Sequence, residues 1–200
     1  EQTVGMILDS DEEERTSEQT NLLGKAYMKL GKHKEGIECL EQAAKRNVLN
    51  HDRKIDLAQA YFFLGRRNDA ERVMSSILSS DPSDLNLVDA ARLYLDIGEV
   101  EKAGSCLGQT VEPIPETVHV FNTYGIALRK AGKYEESMVI YGKCLQIVPD
   151  SDVLHFNLGF LYAATGKIDD AKKTLMHTLK LNPDNQPAKD LLEKLANQGS

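Results

Sequence analysis

The chain has 200 residues, of which 31 are acidic and 24 are lysine or arginine, for a net charge of -7. That balance argues against a nucleic-acid or anionic-membrane surface, which needs clustered bases. No apolar run reaches the roughly 18 residues that a membrane span needs, so no membrane insertion is expected.

The start of the chain carries no signal-peptide pattern. It begins at Glu1 rather than methionine, which points to a fragment of a longer protein or to a processed one. Residues 1–16 share no pattern with the rest of the chain. Val4, Ile7 and Leu8 form a short apolar group, and Asp9, Asp11, Glu12, Glu13 and Glu14 an acidic run. This stretch reads as an acidic linker or as the end of an upstream domain.

From Ser17 on, apolar residues recur at helical spacing. A first unit, about 17–50, starts at an N-cap on Thr16 or Ser17 and carries Lys25, Lys29, Lys32 and Lys34. A second, 51–83, holds Phe62 and Phe63 before its turn. The third, 84–117, places Gly104 and Gly108 inside its second helix, each at a cost of about 1 kcal/mol against alanine. It ends in Pro113-Ile114-Pro115 and is expected to be the weakest unit. In the fourth, 118–151, Phe121, Tyr124, Gly125 and Leu128 share one helix face. Gly132 can close that helix in the left-handed conformation, and a second helix runs from Tyr134 to Ile147, before Pro149. The fifth unit spans 152–185. A last helix, 186–197, is capped by Asn185 and takes Pro187 in its first turn. Its apolar stripe is Ala188, Leu191, Leu192 and Leu195, with Lys189, Asp190, Glu193 and Lys194 turned to water.

The units share one register. Gly31, Gly65, Gly98, Gly132 and Gly166 succeed one another at 34, 33, 34 and 34 residues. Seven positions before each lies a small residue: Gly24, Ala58, Ala91, Gly125 or Gly159. Five after each lies another: Gly36, Ala70, Ala103, Ser137 or Ala171. A fixed period of this size marks a repeat architecture, and paired helices with small residues at their contact must stack to bury their stripes.

These residues resemble the tetratricopeptide repeat, whose signature is W-x2-L-G-x2-Y, then A-x3-F, then P. The fourth unit has Phe121, Tyr124, Gly125 and Leu128, then Ser137, Tyr141 and Pro149. The fifth has His155, Leu158, Gly159 and Tyr162, then Ala171, Leu175 and Pro183. The resemblance covers roughly 17–185. It implies an all-α, right-handed superhelical solenoid of stacked antiparallel helix pairs, closed by the C-terminal capping helix. It also implies a scaffold that binds a protein or peptide without catalysis, while three cysteines expected as reduced core thiols point to the cytoplasm.

The residues show no chemistry that competes with this. His33, His51, His119, His155 and His177 stand in no metal or catalytic motif, and no catalytic, cofactor-binding or metal-binding set is expected. Cys39, Cys106 and Cys144 fall in second-helix patterns and read as reduced core thiols. The informative surface is the remaining face of each first helix, which in the family lines a concave groove. By helical phase it contains Lys25 and Lys29, then Gln59, Phe62 and Phe63, then Arg92. In the last two units it contains Asn122, Ile126, Arg129 and Lys130, then Phe156, Asn157 and Phe160. Amides of this kind can hold a peptide backbone and aromatics can anchor it, or the aromatics can pack between first helices. A peptide is expected to dock mainly across the last two units, because Asp52, Asp56 and Asp89 make the middle more acidic. The carboxylate clamp of the family's chaperone-binding members is not reproduced, since Asp56 and Asp89 come after Asn21 and Lys25 on the same face. The alternatives are a structural self-association module forming a homo-oligomer, or a regulatory appendage of an upstream enzyme domain.

Overall fold

The structure is a computed structural model, and it describes residues 15–47, 50–108 and 111–197. The apolar and acidic stretch up to Glu14 lies outside the described residues. Eleven helices occur among the described residues, and no strand. They are α1 (Ser17–Lys29), α2 (His33–Arg46), α3 (His51–Phe63), α4 (Arg67–Ser80), α5 (Asp84–Asp96) and α6 (Val100–Leu107). Then come α7 (Val118–Lys130), α8 (Tyr134–Ile147), α9 (Asp152–Ala164), α10 (Ile168–Leu181) and α11 (Gln186–Asn197). The described residues up to Leu93 form one compact unit and those from Tyr94 a second.

Each first helix starts and stops for local reasons. Thr16 caps α1 with a reciprocal box: the Gln19 amide nitrogen donates to Thr16 Oγ1 at 3.1 Å, and Thr16 N–H donates to Gln19 Oε1 at 2.8 Å. Asn50 caps α3 and Ser151 caps α9 in the simpler form. At the other end the ladder glycines all take positive φ, from 71° to 80°. The N–H two residues beyond the helix-capping residue then returns to a carbonyl in the last turn, as Lys32 to Tyr27 at 2.9 Å and Lys167 to Tyr162 at 2.8 Å. The same turn lays a cation over a tyrosine ring: Lys32 on Tyr27, Arg66 on Tyr61 and Lys167 on Tyr162. The fourth repeat has Leu128 in place of tyrosine, and its Lys133 pairs instead with Glu101 at 2.6 Å.

The small residues set how closely paired helices approach. A Cβ on Gly24 would stand 2.8 Å from the Leu40 side chain, one on Gly125 2.8 Å from the Tyr141 ring, and one on Gly159 2.9 Å from Leu175. Ser137, fully buried, donates across the α7–α8 contact to the Gly125 carbonyl at 2.7 Å. In the first unit the core is Leu23, Leu40, Leu57, Tyr61, Met74 and Ile77. In the second it is Phe121, Leu128, Tyr141, Leu154, Leu161 and Leu175. Helix α11 covers the end of that core with Ala188 and Leu195, and Leu191 and Leu192 pack beside them. Asn185 accepts from the Ala188 N–H at 3.1 Å, which caps this helix.

One helix departs from the sequence expectation. Gly108 is not inside α6. The helix ends at Leu107 after eight residues, and Gly108 takes φ 51° and ψ -162° as its terminal residue. That conformation is open to glycine and turns the chain away before a further helical turn can form. Gly104 remains helical, and a Cβ there would collide with the Tyr124 hydroxyl oxygen. It is therefore a close-contact glycine as well as a weak helix former.

Candidate functional site

The first helices carry a cross-repeat ladder on the face beside their core stripe. In the first unit Asn21 Nδ2 donates to Asp56 Oδ2 at 2.7 Å, 35 residues on. Lys25 Nζ reaches both oxygens of the same carboxylate, at 2.9 and 3.1 Å. In the second unit Asn157 Nδ2 donates to Asn122 Oδ1 at 2.9 Å, again 35 residues apart. The same register therefore holds a charged cluster at one place and a neutral amide pair at another. Neither Asp56 nor Asp89 stands as a bare charge, because Arg92 pairs with Asp89 at 3.0 Å.

Between α1 and α3 lies a groove of about 380 Å³. Lys25, Met28 and Lys29 of α1 form one side, Asp56, Gln59, Ala60 and Phe63 of α3 the other, and Leu40 of α2 contributes from below. Phe62 and Phe63 part company here. Phe62 is buried, whereas Phe63 is 72% exposed, with His33 as a ring neighbour at 5.7 Å between centroids. Successive residues on a helix point about 100° apart, which places one phenyl in the core and the other in the groove.

On α7 and α9 the Arg129 guanidinium lies over the Phe160 ring at 4.3 Å. Ile126 is half-buried nearby on α7, and Lys130 is exposed. Asn157 is buried by its bond to Asn122. Phe156 is half-buried and packs against the Ala171, Leu175, Ala188 and Leu195 core. Of the residues proposed from sequence, the structure gathers Lys25, Lys29, Gln59 and Phe63 in one groove. It gathers Asn122, Arg129, Asn157 and Phe160 in neighbouring contacts on the α7/α9 face. Asp56 escaped the sequence reasoning as a groove organiser. Its signal was the spacing of one repeat from Asn21.

Two further clusters bear on chemistry. Ser80 Oγ stands 3.4 Å from His51 Nε2, and Asp81 Oδ2 stands 3.5 Å from His51 Nδ1. The order mimics a nucleophile, base and acid. The side-chain nitrogen of Asn86, however, stands 3.0 Å from Nδ1 and donates to the Asp81 carbonyl at 3.0 Å and carboxylate at 2.9 Å. Ser80 itself donates to the Ile77 carbonyl. The serine's proton is thus directed at a backbone carbonyl and not at the ring, and the set ties the start of α3 to the α4–α5 turn. The first residue of α9 is used likewise: Asp152 accepts from Asn182 at 2.7 Å and from Asn185 at 3.2 Å. The Asn182 amide above all holds the Asp152 carboxyl below its usual range.

Buried groups in α8 are shifted the other way. Burial pushes the Tyr141 phenol up to about 12 and the Cys144 thiol up to about 11. The Tyr141 hydroxyl is fully enclosed and has no hydrogen-bond partner. Cys106 and Cys144 are buried thiols, and Cys39 is half-buried. Among the described residues no three histidine, cysteine or acidic side chains converge as metal ligands. No helix among them is long and apolar enough to cross a membrane.

The sequence profile of the tetratricopeptide repeat matches residues 27–90 and 128–195. The chain is 24% identical over 178 residues to human protein O-mannosyl-transferase TMTC1, covering 86% of this chain and 20% of that protein. It is 26% identical over 140 residues to the bovine BBSome complex member BBS4, covering 70% of this chain and 27% of that one. It thus spans about a fifth of the first of these relatives and about a quarter of the second. Among solved structures it superposes on YrrB, described as a TPR protein with an unusual peptide-binding site, with a TM-score of 0.64 at 13% identity. That match covers 96% of this chain and 98% of YrrB.

Proposed function

The chain belongs to the tetratricopeptide-repeat family, and we propose that it is a non-enzymatic scaffold that binds a peptide on the faces of its first helices. The observation that carries this reading is the ladder with its flanking side chains. Asn122 and Asn157 hold each other, and Arg129 lies ready-oriented on Phe160, with no ion-pair partner among the described residues. A guanidinium stacked on an aromatic keeps its planar donors free for a carboxylate while the ring offers an apolar contact. YrrB, similar in fold, is described by its peptide-binding site, and BBS4 by its place in a complex. On this reading the chain is part of a larger assembly or signalling protein working in the cytoplasm.

On this reading a peptide with an apolar anchor and an acidic residue docks across α7 and α9. Phe160→Ala should weaken it by about 1 kcal/mol or more. Lys130→Glu should weaken it in a way that fades with salt, because exposed charges are screened. Titration of the true partner against both variants checks this, and unchanged affinity in both would move the binding surface elsewhere. A second reading, self-association, draws on the exposed Val139 and Met176 of α8 and α10. Light scattering that stays monomeric across concentration would remove it.

A further inference from the structure

We propose that the depression between α2, α3 and α4 binds a phosphate monoester carried on a ring-sized apolar body. It shares no lining residue with the α1–α3 groove, and the reading is independent of peptide docking on the first-helix faces.

The register shows why a site stands there. Lys54 lies four residues before Ala58, as Phe121 lies four before Gly125 and His155 four before Gly159. Phe121 fills its place as a fully buried ring. Lys54 is half-buried in the same place and has no ion-pair partner among the described residues. An ammonium drawn partly out of water without a carboxylate is unfavourable, and an anion seated beside it removes that penalty.

Two more cations line the depression, each from a different helix: Lys45 of α2 and Arg72 of α4. Lys45 also has no ion-pair partner among the described residues. Arg72 donates to Asp69 Oδ1 at 2.8 Å, but Arg66 holds Asp69 Oδ2 with Nε at 2.8 Å and Nη2 at 2.7 Å. One carboxylate thus serves two guanidiniums, and Arg72 keeps further donors for a ligand. The single lining acid, Glu41, accepts from the Tyr61 hydroxyl. Three cations against one acid make a positive hollow in a chain whose net charge is -7. A concave wall of one sign concentrates the opposite charge. A phosphate monoester brings close to two negative charges and three acceptor oxygens, which suits cations converging from three helices better than a carboxylate does.

The rest of the wall is apolar, from Ala44, Leu57, Val73 and the Tyr61 ring. The volume is about 380 Å³, against the roughly 30 Å³ that one water occupies in the liquid. A bare phosphate leaves most of that space unfilled, and a ring attached to it covers the apolar wall.

Isothermal titration calorimetry of the full chain with phenyl phosphate, at fixed ionic strength, tests this. Phenol lacks the anion and inorganic phosphate lacks the ring, so each should bind at least about tenfold more weakly. Lys54→Met puts an apolar chain where the fourth repeat has Phe121, so it should melt no lower than the parent. It should nevertheless bind phenyl phosphate at least about fivefold more weakly, and so should Arg72→Gln, whose side chain is exposed. Phe63→Ala, outside the depression, should bind like the parent. The tripeptide Ser-phosphotyrosine-Ser separates the sources of the ester. Tighter binding than phenyl phosphate assigns the ester to a modified protein chain, and equal or weaker binding to a free small molecule. No binding of phenyl phosphate up to about 10 mM overturns the proposal, as does equal binding by the parent, Lys54→Met and Arg72→Gln. Phenol binding as tightly as phenyl phosphate would refute the anion site, and inorganic phosphate binding as tightly would refute the apolar body.

Discussion

The two compact units solve one structural problem with different chemistry. In the first, the position that links successive first helices holds Asn21, Asp56 and Lys25, a charged cluster beside an open groove. In the second it holds Asn122 and Asn157, a neutral pair, and the neighbouring Phe160 is covered by Arg129. Phe63 in the first unit has no cation over it among the described contacts and remains exposed. The repeat thus fixes where side chains stand, while individual residues decide whether the site is open, charged or closed. Function in such a chain is written on the scaffold and not in it.

The largest expected effect probes what the units share. Gly125→Leu should destabilise by about 1–3 kcal/mol, because the added side chain meets the fully buried Tyr141 ring at once. Thermal melts check this, and an unchanged midpoint would contradict the assigned helix contact. Next comes the difference between the ladders. Asp56→Ala strands both the Asn21 amide and Lys25 and should cost about 1–2 kcal/mol. Asn157→Ala removes one neutral bond and should cost about 1 kcal/mol. Denaturant titrations giving the reverse order would break the comparison.

Both units should lose stability in alkali, because burial also pushes the Tyr61 phenol of the first unit up to about 12. Tyr141 and Cys144 share α8, and both hold their protons longer in the folded chain than in the unfolded one, whose ordinary values are 10.0 and 9.0. The unfolded state then binds fewer protons over this window, so stability falls as pH rises from about 9 through about 12. Each group contributes a slope of up to about 1.4 kcal/mol per pH unit. Tyr141→Phe should flatten the upper part of that fall and change neutral-pH stability by no more than about 1 kcal/mol, because the hydroxyl it removes has no hydrogen-bond partner. The smallest effect belongs to Gly142, which sits in α8 with nothing within 4 Å of an added Cβ. Gly142→Ala should stabilise by about 0.5–1 kcal/mol, the opposite sign to Gly125→Leu in the partner helix.

Much of the fold was legible because its signals are local. A glycine at positive φ closes a helix whatever surrounds it, so the ladder from Gly31 to Gly166 disclosed the period before any contact was known. Thr16 and Asn185 announced their caps by residue type and position. Gly108 was misplaced for a complementary reason: a helical pattern shows which residues could continue a turn, not where one glycine leaves it. The candidate site was legible as a face but not as a set of partners. Phase put Lys25, Gln59 and Phe63 on the first-helix surface. It did not reveal that Asp56 would be neutralised by Asn21 and Lys25, or that Phe62 and Phe63 would divide between core and groove. Those outcomes depend on the next repeat, and a single helix does not encode them.

Amide hydrogen exchange of the full chain with and without a peptide that carries an apolar anchor and an acidic residue tests the central claim most directly. Ligand binding on the first-helix faces predicts slower exchange in α7 and α9 on adding peptide, with α8 and α10 nearly unchanged. Protection confined to second helices would contradict it.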